Sequence, residues 1–440
     1  LQQYSTMSNE FTPYILSRTL QSDLAPVRSL CHLESSNVLL AGSQAALLTR
    51  YTLGTSSSIA MDTLQEGHSH SITALLAGPS HSNDTDTDTD TNVDAELYVT
   101  GCKDGIVRVF RGRELVRELK GHTNNVSSLS WVYSDVQHHQ QQQLPLLLSG
   151  SWDGIARIWN IETGECVQVL PDHENTTVVL GLKSGRIVTG SAGIAQNNRI
   201  VDTKIRIWQL NASKIQYELV KTIPYPTGPI RNLCSIPVSS QYNNISMQDN
   251  DNDSCMFATC SNDGTVKVWN EDSGECRFTF THPESPMILS VMAGPDGTVV
   301  STTEEGDLAV WCYESSEQPL QIIPHASTLW CAALLNDGEI ATACQDGSVR
   351  IFSRDVSKAC SEEELRTFEE GGKRGSKGPS SEEIAKLPRW EMRQVVAGKS
   401  EGQVQMFQKD GGSKAIAAQW SQTSGTWIEV GEVLSTRDTS

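Results

Sequence analysis

Four stretches of this 440-residue chain share one pattern: YVTGCKDGIVRVF (98–110), LLSGSWDGIARIWN (147–160), FATCSNDGTVKVWN (257–270) and IATACQDGSVRIF (340–352). Each is a short β-run, an Asp-Gly turn, and alternating apolar residues that close on Trp or Phe. Asp-Gly between alternating runs signals a hairpin, because the turn needs positive φ. Three weaker copies follow the same template: LLAGSQAALLTRY (39–51), IVTGSAG…TKIRIWQL (187–210) and VVSTTEEGDLAVW (299–311). The closing aromatics, Tyr51, Phe110, Trp159, Trp208, Trp269, Trp311 and Phe352, are 59, 49, 49, 61, 42 and 41 residues apart. A unit of about 42 residues, lengthened by insertions in some copies, therefore repeats seven times. Periods of this size mark units that bury their faces only against their neighbours.

GHSHSITALL (67–76), GHTNNVSSLSW (121–131), DHENTTVVLGL (172–182), THPESPMILSV (281–291) and PHASTLWCAAL (324–334) lie between the copies. With them the pattern resembles WD-repeat β-propellers, whose units carry Gly-His near the start and Trp-Asp near the end. The expected fold is all-β: a seven-bladed WD-repeat β-propeller. In the third blade His122, Ser149, Asp153 and Trp159 match the hydrogen-bonded set that braces an entry loop to a hairpin in this family. Ser, His and Asp also suggest a hydrolytic triad, but one active site does not need its constellation in several blades. Blade seven ends at Phe352 without a fourth strand. YILSRTLQSD (14–23) has the outer-strand pattern of CVQVLPDH (166–173), so it is expected to close the ring and remove the exposed edge.

Entry loops and Asp-Gly hairpins share the top face of such a fold. HSNDTDTDTDTNVDAE (81–96), VQHHQQQQ (136–143) and SSQYNNISMQDNDNDS (239–254) fall between first and second strands, at the bottom, and read as disordered loops. The Asp-Thr run lacks the Gly and Glu of an EF-hand loop, and no metal or cofactor is expected. One insertion, AGIAQNNRIVDTK (192–204), enlarges a top hairpin, so the top is the expected binding face. Trp152 precedes Asp153 where folding needs no Trp; it reads either as a binding hot spot or as packing on a neighbouring blade. Trp330, at the start of an inner strand, reads as core rather than rim but is kept as a candidate contact. Asp23, Glu174 and Glu284 in entry loops suit a basic partner, and Lys103, Asn262 and Gln345 complete the candidate top-face set.

The charge is −19. That balance argues against nucleic acid, which requires clustered Lys and Arg. No apolar run approaches the roughly 18 residues of a membrane span, and no signal-peptide pattern opens the chain. Eleven Cys without a CxxC pair imply neither a zinc site nor a disulfide framework, and buried free thiols are expected. The sequons at Asn83, Asn125, Asn175, Asn211, Asn244 and Asn252 are read as unglycosylated, in a cytoplasmic and nuclear protein.

The expected organisation is a disordered 1–12, the propeller over 13–355, a charged linker with a short helix over 356–392, and three strands within 393–440. Three strands make too small a domain to stand alone. With Met7 as a plausible native start, the chain reads as a fragment. QDGSVRIFSRD (345–355), the EEEL…FEE segment and EGQVQMF…AAQWSQTSGTWIEVGEV resemble the phospholipase A-2-activating protein family of ubiquitin adaptors, over about 14–434. That resemblance implies a non-enzymatic adaptor whose propeller top binds ubiquitin or ubiquitinated proteins. It also implies a PFU-type ubiquitin-binding domain, incomplete here, and a further region, absent here, that docks on an AAA+ unfoldase of the valosin-containing-protein class. Ubiquitin's apolar patch with basic neighbours would suit an apolar centre with an acidic rim. The alternative is a general interaction scaffold whose propeller does not bind ubiquitin.

Overall fold

The computed structural model describes residues 11–21, 25–54, 60–64, 67–79, 96–132, 146–170, 175, 177–196, 199–201, 203–211, 213–225, 227–236, 256–312, 318–373, 404–408, 415–421 and 426–433. Seven four-stranded antiparallel sheets form the blades of a propeller. From the axis outward, blade three runs Val126–Val132, Leu146–Ser151, Ala156–Trp159 and Cys166–Leu170. Blade seven takes its three inner strands from 329–353 and its outer strand from Ile15–Gln21, which pairs antiparallel with Ser348–Ser353. The N-terminal closure read from the sequence is thus present.

The core is spread over seven seams. Val99, Val107, Val109 and Leu119 of blade two pack on Val126, Trp131, Leu147 and Trp159 of blade three, and every other neighbouring pair has its own such cluster. Both faces of a middle strand are therefore covered. Leu148 and Leu147, which point to opposite sides, are each fully buried. Inner strands also approach closely: a Cβ on Gly181 would lie 1.9 Å from the Trp131 carbonyl oxygen.

Top loops are tied to their sheets by polar rungs, most completely in blade three. In blade three the Trp159 indole N–H donates to Ser149 Oγ (2.8 Å), Ser149 Oγ–H donates to His122 Nε2 (2.7 Å), and His122 Nδ1–H donates to Asp153 (2.9 Å). That order of donors satisfies every group with a neutral imidazole. Trp208 to Thr189 (3.0 Å), Trp269 to Thr259 (3.0 Å) and Trp311 to Ser301 (2.9 Å) repeat the inner link. In blade seven His325 donates to the Ile323 carbonyl and meets Thr342 through Nε2 at 3.3 Å. The Ser-His-Asp set is joined in full in blade three, and its inner link to the closing Trp recurs in blades four, five and six.

The segment read as a linker is partly docked. Its helix, Glu362–Lys373, sets Phe368 against His325 (5.2 Å between centroids) and Phe352 (5.8 Å), and the Cys360 N–H donates to the Leu16 carbonyl. Val404–Gln408, Ala415–Ser421 and Thr426–Val433 form a separate three-stranded antiparallel sheet. The insertions at 81–95, 136–143 and 239–254 connect first to second strands, as expected, but lie outside the described residues, as do 1–10. No helix among the described residues is long and apolar enough to cross a membrane.

Tyr14 and Leu16 pack in the seam between blades six and seven, and Leu20 packs in the seam between seven and one. Deleting residues 1–20 is expected to lower the melting temperature of the whole propeller in a thermal melt; an unchanged midpoint would refute that role for the strand. Ser149→Ala leaves two buried partners unsatisfied and should cost about 2–4 kcal/mol. Ser149→Thr, which copies the rung of blades four and five, should cost less than about 1 kcal/mol by chemical denaturation.

Burial lowers the pKa of His325 from 6.5 to about 3, and burial also lowers that of His122. The unfolded chain therefore binds more protons than the folded one below pH 6.5. Stability from these groups is complete above pH 6.5 and is lost as pH falls towards 3. Thermal melts should show a plateau at pH 7–8 and a steady decline from pH 6.5 to 4, and an equal midpoint at pH 7.5 and 4.5 would contradict it.

Candidate partner-binding face

The Asp-Gly hairpins build the top face by a common device. In blade three the Gly154 N–H donates to the Ser151 carbonyl, the Ile155 N–H donates to Asp153 Oδ1, and Gly154 takes a φ of 81°. Gly105, Gly264 and Gly347 have φ of 80°, 77° and 82°. Positive φ is confined to the glycine, so Asp sits inside the turn and the preceding residue stands at its crest. That crest residue is Lys103, Trp152, Asn262 or Gln345. The backbone N–H of each donates to an entry-loop carbonyl, of Ser71, Asn125, Pro229 and Thr328 respectively, at 2.9–3.1 Å. The main chain is held from below while the side chain is left for the top surface.

The carboxylates of these hairpins serve the fold. Asp104 accepts from Arg108 (2.8 Å), Asp346 from Arg350 (2.8 Å) and Asp153 from His122. Burial alone would raise the pKa of each; the donors outweigh it and hold all three below the usual carboxylate range.

Trp152 is 45% exposed and belongs to none of the seven seam clusters. Lys103 and Glu284 are exposed, and Asn262 accepts from Arg231 Nε at 2.6 Å. Asp23 and Glu174 lie outside the described residues. Trp330 differs from the expectation of a core residue: it is only half-buried, its indole N–H donates to Gln345 Oε1 (2.7 Å), and the Arg28 guanidinium lies over its ring at 3.4 Å. The reason is a β-bulge. In six blades the pairing of the innermost strand skips its second residue, and in blade seven that residue is Trp330. A bulge turns the skipped side chain out of the alternating pattern. The other skipped residues are Arg28, Thr73, Ser127, Arg231 and Leu289.

Arg28 and Arg231 were not among the residues singled out from the sequence. A signal was present: PVRSLC (26–31) and PIRNLC (229–234) repeat the same Arg one residue after the apolar start of an inner strand. The enlarged hairpin of blade four carries a small two-stranded sheet, Ile194–Gln196 with Arg199–Val201, on the predicted side. No group of three or more His, Cys, Asp or Glu among the described residues is arranged to hold a metal.

The WD domain, G-beta repeat family matches residues 113–160, 226–270 and 317–353, blades three, five and seven. The WD40 β-propeller domain of Doa1 superposes with a TM-score of 0.58 at 22% identity, covering 80% of this chain and all of that one. The ubiquitin homeostasis protein lub1 of Schizosaccharomyces pombe is 27% identical over 322 residues, 72% of this chain and 38% of its own length. The phospholipase A-2-activating protein of Xenopus laevis is 28% identical over 113 residues, 25% of this chain and 14% of its own length. The chain is thus a WD-repeat propeller similar in sequence to the ubiquitin homeostasis protein lub1 and to phospholipase A-2-activating protein. It spans well under half the length of these two relatives.

Within this WD-repeat propeller the crest residues and the seam residues should respond differently to truncation. Trp152→Ala should leave the melting midpoint within about 2 °C of the parent, whereas Trp159→Ala, fully buried, should cost about 3–5 kcal/mol. A large loss of stability on truncating Trp152 would make it a packing residue.

Proposed function

We propose that this chain is a non-enzymatic, ubiquitin-binding adaptor of ubiquitin-dependent protein degradation, with the top of the propeller as its docking face. The observation that carries the reading is the braced top face itself. Main-chain hydrogen bonds fix its crests, three of its four Asp-Gly acids are bonded to Arg or His, and Trp152 is presented to solvent. The relative matched over 72% of the chain is named for ubiquitin homeostasis, which supports ubiquitin as the partner. The residues proposed to meet it are Trp152, Trp330, Lys103, Asn262, Gln345 and the entry-loop acids Asp23, Glu174 and Glu284. The strands at 404–433 are read as the start of a PFU-type domain, and linkage to an AAA+ unfoldase as a property of the longer protein.

A propeller acting alone on ubiquitin should bind weakly, with Kd of about 10–1000 μM. Titration of isotope-labelled ubiquitin with the chain should shift resonances of one contiguous patch, and Trp152→Ala should weaken the shifts at unchanged stability. Absence of shifts at high micromolar protein would remove the ubiquitin reading. The general-scaffold alternative draws on Val116, Val167 and Val169, which are 47%, 52% and 41% exposed on the outer strands of blades two and three. A partner held there would be indifferent to Trp152.

A further inference from the structure

The mouth of the central channel runs against the charge of the chain. The skipped residues at the top of the innermost strands include Arg28 and Arg231 and no carboxylate, while the whole chain carries −19. The best-formed part of this mouth lies between blades seven and one. The Arg28 guanidinium lies face-on against Trp330, with Cζ 3.4 Å from the ring centroid. Stacking fixes the plane of the guanidinium and leaves its N–H edge free for ligands in that plane. Trp330 is itself fixed, since its indole N–H donates to Gln345 Oε1. The Gln345 amide oxygen accepts that bond, which leaves its NH₂ group as a donor beside the same ring. Among the described residues no carboxylate bonds to Arg28. Burial brings its pKa down to about 10, as expected for a cation that has lost water without gaining an anion.

Hydroxyls, amides and aromatic rings each present an acceptor or a neutral face to such a site, but none answers its charge. A planar oxyanion matches both the charge and the fork of in-plane donors. We propose that the mouth between blades seven and one is a carboxylate-binding subsite, in which Arg28, held flat on Trp330, and Gln345 receive an acidic side chain of the polypeptide docked on the top face. The proposal rests on the top face being the docking face, and not on the docked protein being ubiquitin. It also divides the labour of that face: acidic entry loops at the rim meet basic groups of the partner, while the mouth takes an acid.

The test is fluorescence anisotropy with the full chain and three labelled eight-residue peptides at low salt. One carries several Glu, one the same residues as Gln, and one a single phosphoserine among the Gln. The Glu peptide should bind at least about tenfold more tightly than the Gln peptide, the factor expected of a charge-assisted pair. Arg28→Met should abolish that difference. Arg28→Lys, which keeps the charge but loses the fork and the stack, should restore only part of it. Gln345→Glu supplies an internal carboxylate and should weaken the Glu peptide about tenfold, which decides the matter should Arg28→Met fail to fold. Equal binding of the Glu and Gln peptides would overturn the proposal. So would wild-type affinity in Arg28→Met or Gln345→Glu, or binding of the phosphoserine peptide alone. Ubiquitin titration reads the other claim separately: a chain that binds ubiquitin but not the Glu peptide refutes the subsite alone, and the converse refutes the ubiquitin reading alone.

Discussion

Everything in this molecule depends on packing between blades, because no blade contains a core of its own. A four-stranded sheet has two faces, and here the apolar residues of each face find partners only on the neighbouring sheet. The seam between blades seven and one therefore decides whether the other six are worth forming. Blade seven, which forms one side of that seam, is completed by a strand more than 300 residues away in sequence from its partner, with Leu16 opposite Phe352 in the seam to blade six and Leu20 opposite Val349 in the seam to blade one. Such a contact carries a large loop-closure entropy, which grows only logarithmically with length and is met once for the whole ring. The reward is that Ser348–Ser353 is paired along its outer side and the seams on both sides of blade seven are filled.

The polar rungs transmit this rigidity to the loops. A hydroxyl of the second strand is the hub: it receives the indole of the third strand and gives its own proton to an entry-loop imidazole. Because His122 must accept at one nitrogen and donate at the other, only the neutral ring fits. The ring then holds Asp153, whose second bonds, from the Thr123 and Ile155 N–H groups, fix the entry loop and the hairpin together. Core and surface are thus one hydrogen-bonded unit, and the crest residue is presented on a frame with little freedom. A docking face assembled in this way loses less conformational entropy on binding than one made of free loops.

Much of this was legible in the sequence because the repeat multiplied each signal. One Asp-Gly is ambiguous, but four at matching positions, each followed by alternation and an aromatic, define strand, turn and rung together. The closing strand was legible for the same reason, since Ile15–Gln21 copies an outer strand seen elsewhere. What escaped was irregular. Arg28, Arg231 and the true place of Trp330 depend on a one-residue bulge, and a bulge reverses the inside-outside assignment that a period of two supplies. Reading strict alternation from Leu329 puts Trp330 in the wrong environment. The short helix was expected, but its docking escaped because a single aromatic, Phe368, carries it in an otherwise charged segment.

The bulges also explain why the overall charge is a poor guide to the proposed binding face. Acidic residues concentrate where the fold can use or ignore them: in hairpin turns bonded to Arg108, Arg350 and His122, and in insertions on the bottom connections. Positions skipped by the bulge make no ladder pair and belong to none of the apolar seam clusters, although Thr73 hydrogen-bonds to Asn125 and the Val126 carbonyl of the next blade. Two of the six hold arginine and one holds tryptophan, residues with long or planar side chains that cover a channel mouth. The chain can therefore be strongly acidic as a whole and present a basic, aromatic centre to whatever docks. Net charge reports the sum over residues with different jobs, whereas recognition depends on the few that the backbone has released from folding.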